Sequence, residues 1–153
     1  MRTIWKSILA VASASALTVS AALATTVQPI VIDLNAVGNG TSHTITVENT
    51  NAERLPVEIR IESLSFSDQG VTISGASKDL AVFPAQAVIQ PGRTQTFRVQ
   101  WAGGALDRSK SYYVTVAQAP VTLPQGQSTI QVLYNFQVLV SVMPPRTKPN
   151  LMV

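Results

Sequence analysis

The chain has 153 residues, the size of one ordinary domain, with 46% hydrophobic and 12% charged side chains, eight glycines and nine prolines, which excludes a disordered or fibrous protein. It has no cysteine and one histidine, His43, so disulfides, iron–sulfur clusters, thiolate zinc sites and multi-histidine metal sites are excluded, no metal or other cofactor is expected, and an enzyme is disfavoured. The formal charge of +3 falls to +1 once the first 24 residues are set aside, too small a field to track a phosphate backbone, so nucleic acid is not an expected partner.

Those first residues read as a removable leader. Met1 to Lys6 is a short basic start, residues 7–23 carry no charge and are rich in Ala, Leu, Val and Ser, and Ala22-Leu23-Ala24 has the small-x-small form of a cleavage site. The uncharged run is shorter than the ~20 residues a membrane span prefers. A signal peptide over 1–24, cut after Ala24, is therefore expected. It leaves a 129-residue mature chain with no membrane span. Such an exported domain without disulfides has to hold itself together with an apolar core.

From there the period is two. Residues 27–34 form a strand that is apolar on both faces at its middle, and the Val37-Gly38-Asn39-Gly40 cluster turns the chain. Thr44 to Glu48 alternates cleanly until Asn49-Thr50-Asn51 closes it. Pro56 opens a long alternation with Val57, Ile59 and Ile61 facing one way and Glu58, Arg60 and Glu62 the other, the pattern of a half-buried antiparallel strand. A short run Val71-Thr72-Ile73 ends at Ser74-Gly75, and Leu80 to Phe83 precedes Pro84. Ile89-Gln90-Pro91-Gly92 is a turn signal before Thr94 to Trp101, which carries Phe97, Val99 and Trp101 on one face. Gly103-Gly104 breaks the chain again, Ser111 to Val116 alternates through Tyr112 and Val114, and a proline-bounded loop spans 119–128. Seven or eight short strands with turns every 8–12 residues and no helical period predict an all-β, immunoglobulin-like antiparallel sandwich over 25–145. The tail 146–153 reads as a linker or the truncated start of a second domain.

The last strand carries the functional signal. Residues 130–143 run without Gly or Pro, and Ile130, Val132, Tyr134, Phe136, Val138, Val140 and Val142 share one face. At ~3.3 Å per residue the run would reach roughly 45 Å, more than twice a typical strand. Two readings stay open. Part of the row is an exposed apolar edge that receives a partner strand, or the strand bends between sheets and the whole row is core.

The ordered set of Asn49, Leu55-Pro56, Phe83-Pro84, Pro91-Gly92-x-x-Gln95-x-x-Arg98-Val99, Asp107-Arg108 and the long strand ending at Pro144 resembles the N-terminal domain of periplasmic pilus-assembly chaperones of the chaperone–usher system. The resemblance implies a non-catalytic periplasmic chaperone. Its last strand would be donated to pilin or fimbrial subunits through Ile130, Val132 and Tyr134, extending to Phe136, with an outer-membrane usher as a further candidate partner. It also implies that the loop around 121–127 orders on the subunit. In that family an arginine on the first strand and a lysine on the last hold the subunit's terminal carboxylate. The matching positions here are Val31 and Leu139, and no Arg or Lys lies in 27–34 or 130–143. The family also has a second domain, which makes this chain a single-domain relative, a truncated product or one part of a split pair.

Other residues carry less. His43 lacks an orienting carboxylate and a nucleophile at any telling spacing, and Glu58, Arg60 and Glu62 make a solvated strand face. Asp107-Arg108-Ser109-Lys110 reads as a loop, and Trp101, Tyr112 and Tyr113 as packing or capping groups. The alternative function is a self-contained structural or adhesive sandwich of the envelope or pilus, with the last strand entirely internal.

Overall fold

A computed structural model describes residues 25–120 and 132–145. The expected signal peptide, the 121–127 loop, Ile130 and the 146–153 tail lie outside the described residues. Ten strands follow in order: β1 (Thr25–Gln28), β2 (Val31–Asn35), β3 (Ser42–Asn49), β4 (Leu55–Ser67), β5 (Gly70–Ala76), β6 (Leu80–Phe83), β7 (Gln86–Ile89), β8 (Arg93–Trp101), β9 (Lys110–Gln118) and β10 (Asn135–Met143). One sheet has the order β1-β3-β8-β6; the other runs β2-β10-β9-β4-β5, with β7 also on β4.

The two sheets face each other across one core. Ile45, Val47, Phe97, Val99 and Trp101 come from the smaller sheet, and Ile32, Leu34, Val57, Tyr112, Val114, Val116, Val138, Val140 and Val142 from the larger. These are the positions the period-two pattern selects, because successive strand residues point to opposite faces. The immunoglobulin-like sandwich expected from the sequence is the fold observed.

Two prolines explain why the described residues form ten strands rather than seven or eight. The expected single strand over 27–34 is split at Pro29 into β1, which pairs antiparallel with β3, and β2, which pairs parallel with β10. Proline has no N–H for a ladder, so pairing lapses there and the chain changes sheet. Pro84 likewise divides β6, on β8, from β7, on β4. β5 continues past Ser74-Gly75 to Ala76, with a register shift opposite Ser63/Leu64.

Buried polar groups tie the corners. Asn49 is fully buried. Its Nδ2 donates to the carbonyls of Glu53 (2.7 Å) and Ile89 (3.0 Å), and its Oδ1 accepts from the Asn51 N–H (3.1 Å). The Asn49 carbonyl accepts from Gly92 N–H at 2.7 Å. Gly92 holds φ +65°, with Arg93 N–H returning to the Gln90 carbonyl. A left-handed residue after Pro91 is what a type II turn requires. A second, partly exposed cluster joins β9 to the residue before β6: Tyr112 Oη donates to Asp79 Oδ2 at 2.7 Å and Lys110 Nζ reaches the same oxygen at 3.2 Å.

Candidate functional site

Along β10 the apolar row predicted from sequence divides into two halves with different surroundings. Val138, Val140 and Val142 are fully buried, Phe136 is partly buried against the core, and Tyr134 and Val132 are 52% and 60% exposed. The expected 14-residue strand is corrected to nine: strand pairing begins at Asn135, and residues 132–134 lead into it without being part of the ladder. Tyr134 is still held there, since Gln118 N–H donates to its carbonyl at 2.9 Å and its ring stacks on Phe136 at 6.4 Å.

The reason for the division lies in the neighbours. On one side β9 pairs with all of Asn135–Val142. On the other, β2 begins only at Leu139, paired with Val31, and runs to Met143 opposite Asn35. Leu139 N–H donates to the Ile30 carbonyl at 2.9 Å, and before that point Pro29 has taken the chain to the other sheet. From Asn135 to Val138 the β2 side of β10 has no strand beside it among the described residues. Among the described residues, nothing fills the position in the sheet that β2 would take had it started earlier. Backbone groups on an open edge are a template for another strand.

Val31 and Leu139, reached by alignment alone, are cross-strand partners in register. They lie on the outer face, away from the core, because Ile32 and Val140 point inward. Tyr113 continues the same row from β9 and Glu62 from β4, while Asp33, Ser141 and Ser111 form the next row. Val31 is 54% exposed and the adjoining Ile30 67%. Among the described residues no cation lies on the outer faces of β2, β10 or β9. Arg60, on β4, is ion-paired to Glu58.

The remaining candidates resolve into structural or surface roles. His43 is exposed on β3 and its Nδ1 contacts only the backbone of Thr44. Among the described residues no group of three or more metal-ligating side chains occurs. Tyr112 and Trp101 pack together, with ring centres 6.1 Å apart, and Trp101 Nε1 donates to the Gly104 carbonyl at 3.0 Å. The hydrogen bond from Tyr112 and the nearby Lys110 hold the Asp79 carboxyl below its usual range, against a smaller opposing effect of burial. Burial and the bond to Asp79 push the Tyr112 phenol up. This brace was not read from the sequence, where Asp79 sits in a polar stretch with no distinguishing pattern.

A second apolar feature lies on the β4–β5 hairpin and has a sequence signal. Past Ile61 the apolar positions of β4 change parity to Leu64 and Phe66. With Ile73 and Val71 opposite them, these make an apolar outer face on the β4–β5 hairpin.

Comparison with family profiles matches residues 25–148 to the pili and flagellar-assembly chaperone family, PapD N-terminal domain. The chain belongs to that family. It is a family of chaperones and not of enzymes, as the single histidine and missing cysteine suggested. Solved structures with the same fold include the class 5 fimbriae chaperone CfaA (16% identity, TM-score 0.67, 80% of this chain and 57% of that one). The CsuC–CsuE chaperone–tip subunit pre-assembly complex of Acinetobacter baumannii archaic chaperone–usher pili also matches (18%, TM-score 0.64, 79% and 57%). So does the Salmonella enterica SafA pilin in complex with the SafB chaperone (16%, TM-score 0.63, 82% and 57%). The chain thus spans less than two thirds of the length of each. Comparison with curated protein sequences gives no match.

Proposed function

We propose that the protein is a periplasmic chaperone that captures pilin or fimbrial subunits by lending them the leading part of β10. The observation that carries the reading is the open stretch of β10 from Asn135 to Val138, where an apolar row leaves the core and continues into solvent through Tyr134 and Val132. A subunit segment added there gains main-chain hydrogen bonds along the edge. It also receives Val132, Tyr134 and Phe136, with Ile130 beyond them, as alternate side chains. Each side chain that becomes fully buried contributes ~1.5–3 kcal/mol before the cost of ordering is subtracted. Two of the solved structures of this fold are complexes of a chaperone with a pilin or a tip subunit, in keeping with such a partner. Export through the leader at 1–24 would place the protein where subunits emerge, and an usher is a candidate recipient of the complex.

The test is co-purification from periplasmic extract with the wild type and with the double variant Ile130→Thr/Val132→Thr. Threonine keeps the β-branched shape and removes apolar contact. The expected result is a pilin-type protein identified by mass spectrometry with the wild type, its yield falling at least tenfold with the variant while the melting temperature stays within about 2 °C. Recovery of the subunit equally well by both proteins, or a variant that melts some 10 °C lower, overturns donation. The second outcome would move the row into the core, as in a self-contained sandwich.

A further inference from the structure

The end of the β4–β5 hairpin has the reverse polarity of the sheet it belongs to. On β4 the face that meets the core through Val57, Ile59 and Ile61 continues as Ser63, Ser65 and Ser67. The other face, polar at Glu58, Arg60 and Glu62, continues as Leu64 and Phe66. β5 matches this, with Thr72 opposite Ser65 and with Val71 and Ile73 opposite Phe66 and Leu64. The serines bond within the hairpin: Ser63 Oγ donates to the Gly75 carbonyl at 3.3 Å, and the Ser65 and Ser74 hydroxyls share a hydrogen bond at 2.6 Å. The apolar face therefore turns away from the core of its own sandwich, and Phe66, Val71 and Ile73 are 64%, 53% and 47% exposed.

We propose that this face, with the free edge of β5, joins two copies of the chain by antiparallel pairing of β5 with β5 about a two-fold axis at Thr72. Three observations select a second copy as the occupant. The larger sheet ends at β5, and among the described residues no strand lies beyond it. Edges kept single in solution carry charges or proline, and residues 70–76 have neither. Finally, Val71-Thr72-Ile73 complements itself. The axis sets Thr72 against Thr72 and Val71 against Ile73 on both sides, so each central pair joins β-branched residues, a favourable cross-strand combination. Directly opposed strand residues share a face, so Leu64 and Phe66 of each copy extend the strip without a break.

The extent of the contact sets its strength. The register shift leaves Ser74 without a partner on β4, which bounds the regular pairing to Gly70–Ser74, and the nearest charges along the chain, Asp68 and Lys78, fall outside it. So short a contact is well under the ~800 Å² per partner of a stable interface, and the association is weak and reversible. β10 lies toward the other edge of the sheet. Resting on the capture proposed above, such a pair keeps both donor edges free and can hold two subunits at once.

The test is analytical ultracentrifugation of the chain recovered from the periplasm, from about 10 μM to about 1 mM, where the wild type should pass from monomer toward dimer. Residue 72 meets its own copy on the axis, so Thr72→Lys and Thr72→Glu should each weaken self-association about tenfold or more, like charges directly opposite being unfavourable. An equimolar mixture of the two variants should associate again, as a heterodimer. Thr72 is exposed, and both variants should melt within about 2 °C of the wild type. NMR shifts on dilution of the wild type should centre on residues 64–73. A wild type that stays monomeric to about 1 mM overturns the proposal. So does a mixture that fails to recover. A dimer that survives both single variants but is broken by Val132→Lys moves the contact to the open edge of β10 and overturns it as well. Subunit capture is read separately, by co-purification, and stands or falls without regard to these results.

Discussion

Asn49 is the polar residue on which the most backbone depends. Its amide satisfies the Glu53 and Ile89 carbonyls and its oxygen caps the Asn51 N–H, all from a fully buried position. Removing it leaves buried carbonyls without donors, so Asn49→Ala is expected to lower stability by about 2–4 kcal/mol, read as a fall in denaturant midpoint at unchanged m-value. Thr115 is the opposite case. Its Oγ1 is buried without a hydrogen-bond partner among the described residues, so the isosteric Thr115→Val should be neutral or stabilise by up to about 1 kcal/mol. The Asp79–Tyr112 brace gives a pH signature. The folded Asp79 carboxyl titrates below its unfolded value near 3.8. Its contribution is therefore present above that value and is lost as pH falls through the lower folded one. Tyr112 titrates higher when folded than its unfolded value of 10.0, so its contribution is intact below pH 10.0 and is lost as pH rises through the folded value. The stability difference between wild type and Asp79→Asn should be flat from about pH 5 to pH 8 and shrink below about pH 4. A difference that grows on acidification would contradict the brace.

At the scale of an element, β10 is two strands in one. Val140→Thr puts a hydroxyl into the core beside Tyr112, where an unpaired group costs about 1–3 kcal/mol, whereas Val132→Thr alters an exposed side chain and should stay within about 0.5 kcal/mol. Equal melting temperatures for the two variants would mean the row is not divided as described. The sequence pattern located this strand and its apolar face because side-chain alternation is a local property. Where the core ends along it was not legible, since Val132 and Val138 are the same residue type three pleat repeats apart on one face. The dividing line is set by where β2 begins, and that is set by Pro29, about a hundred residues earlier. Pro29 and Pro84 mark strand breaks in retrospect. From sequence alone, a proline inside an apolar alternation fits an edge strand as well as a change of sheet. The candidate site was readable through its apolar residues and, by family resemblance, through the paired positions Val31 and Leu139. The Asp79 brace was not, because its partners are more than thirty residues apart with no motif linking them.

On the larger sheet, two groups of exposed apolar side chains stand out among the described residues: the leading part of β10 with the neighbouring Ile30 and Val31, and the outer face of the β4–β5 hairpin, where Phe66, Val71 and Ile73 adjoin the half-buried Leu64. Both border strand edges, which makes both templates for association, and they lie toward opposite edges of the larger sheet, whose order runs from β2 and β10 through β9 and β4 to β5. Hydrogen exchange separates them. In the free protein the amides of β3, β8 and β9, paired on both sides and packed against the core, should exchange only by global unfolding. Those of residues 132–136 and 64–73 should exchange through local opening. When a subunit is captured, protection should rise at least tenfold along 132–138, with the hairpin unchanged and β3 and β8 shifted only by the overall gain in stability that binding confers. Protection that appears first at 64–73 would place the partner on the hairpin. Donation by β10 would then be wrong even though the fold and family stand.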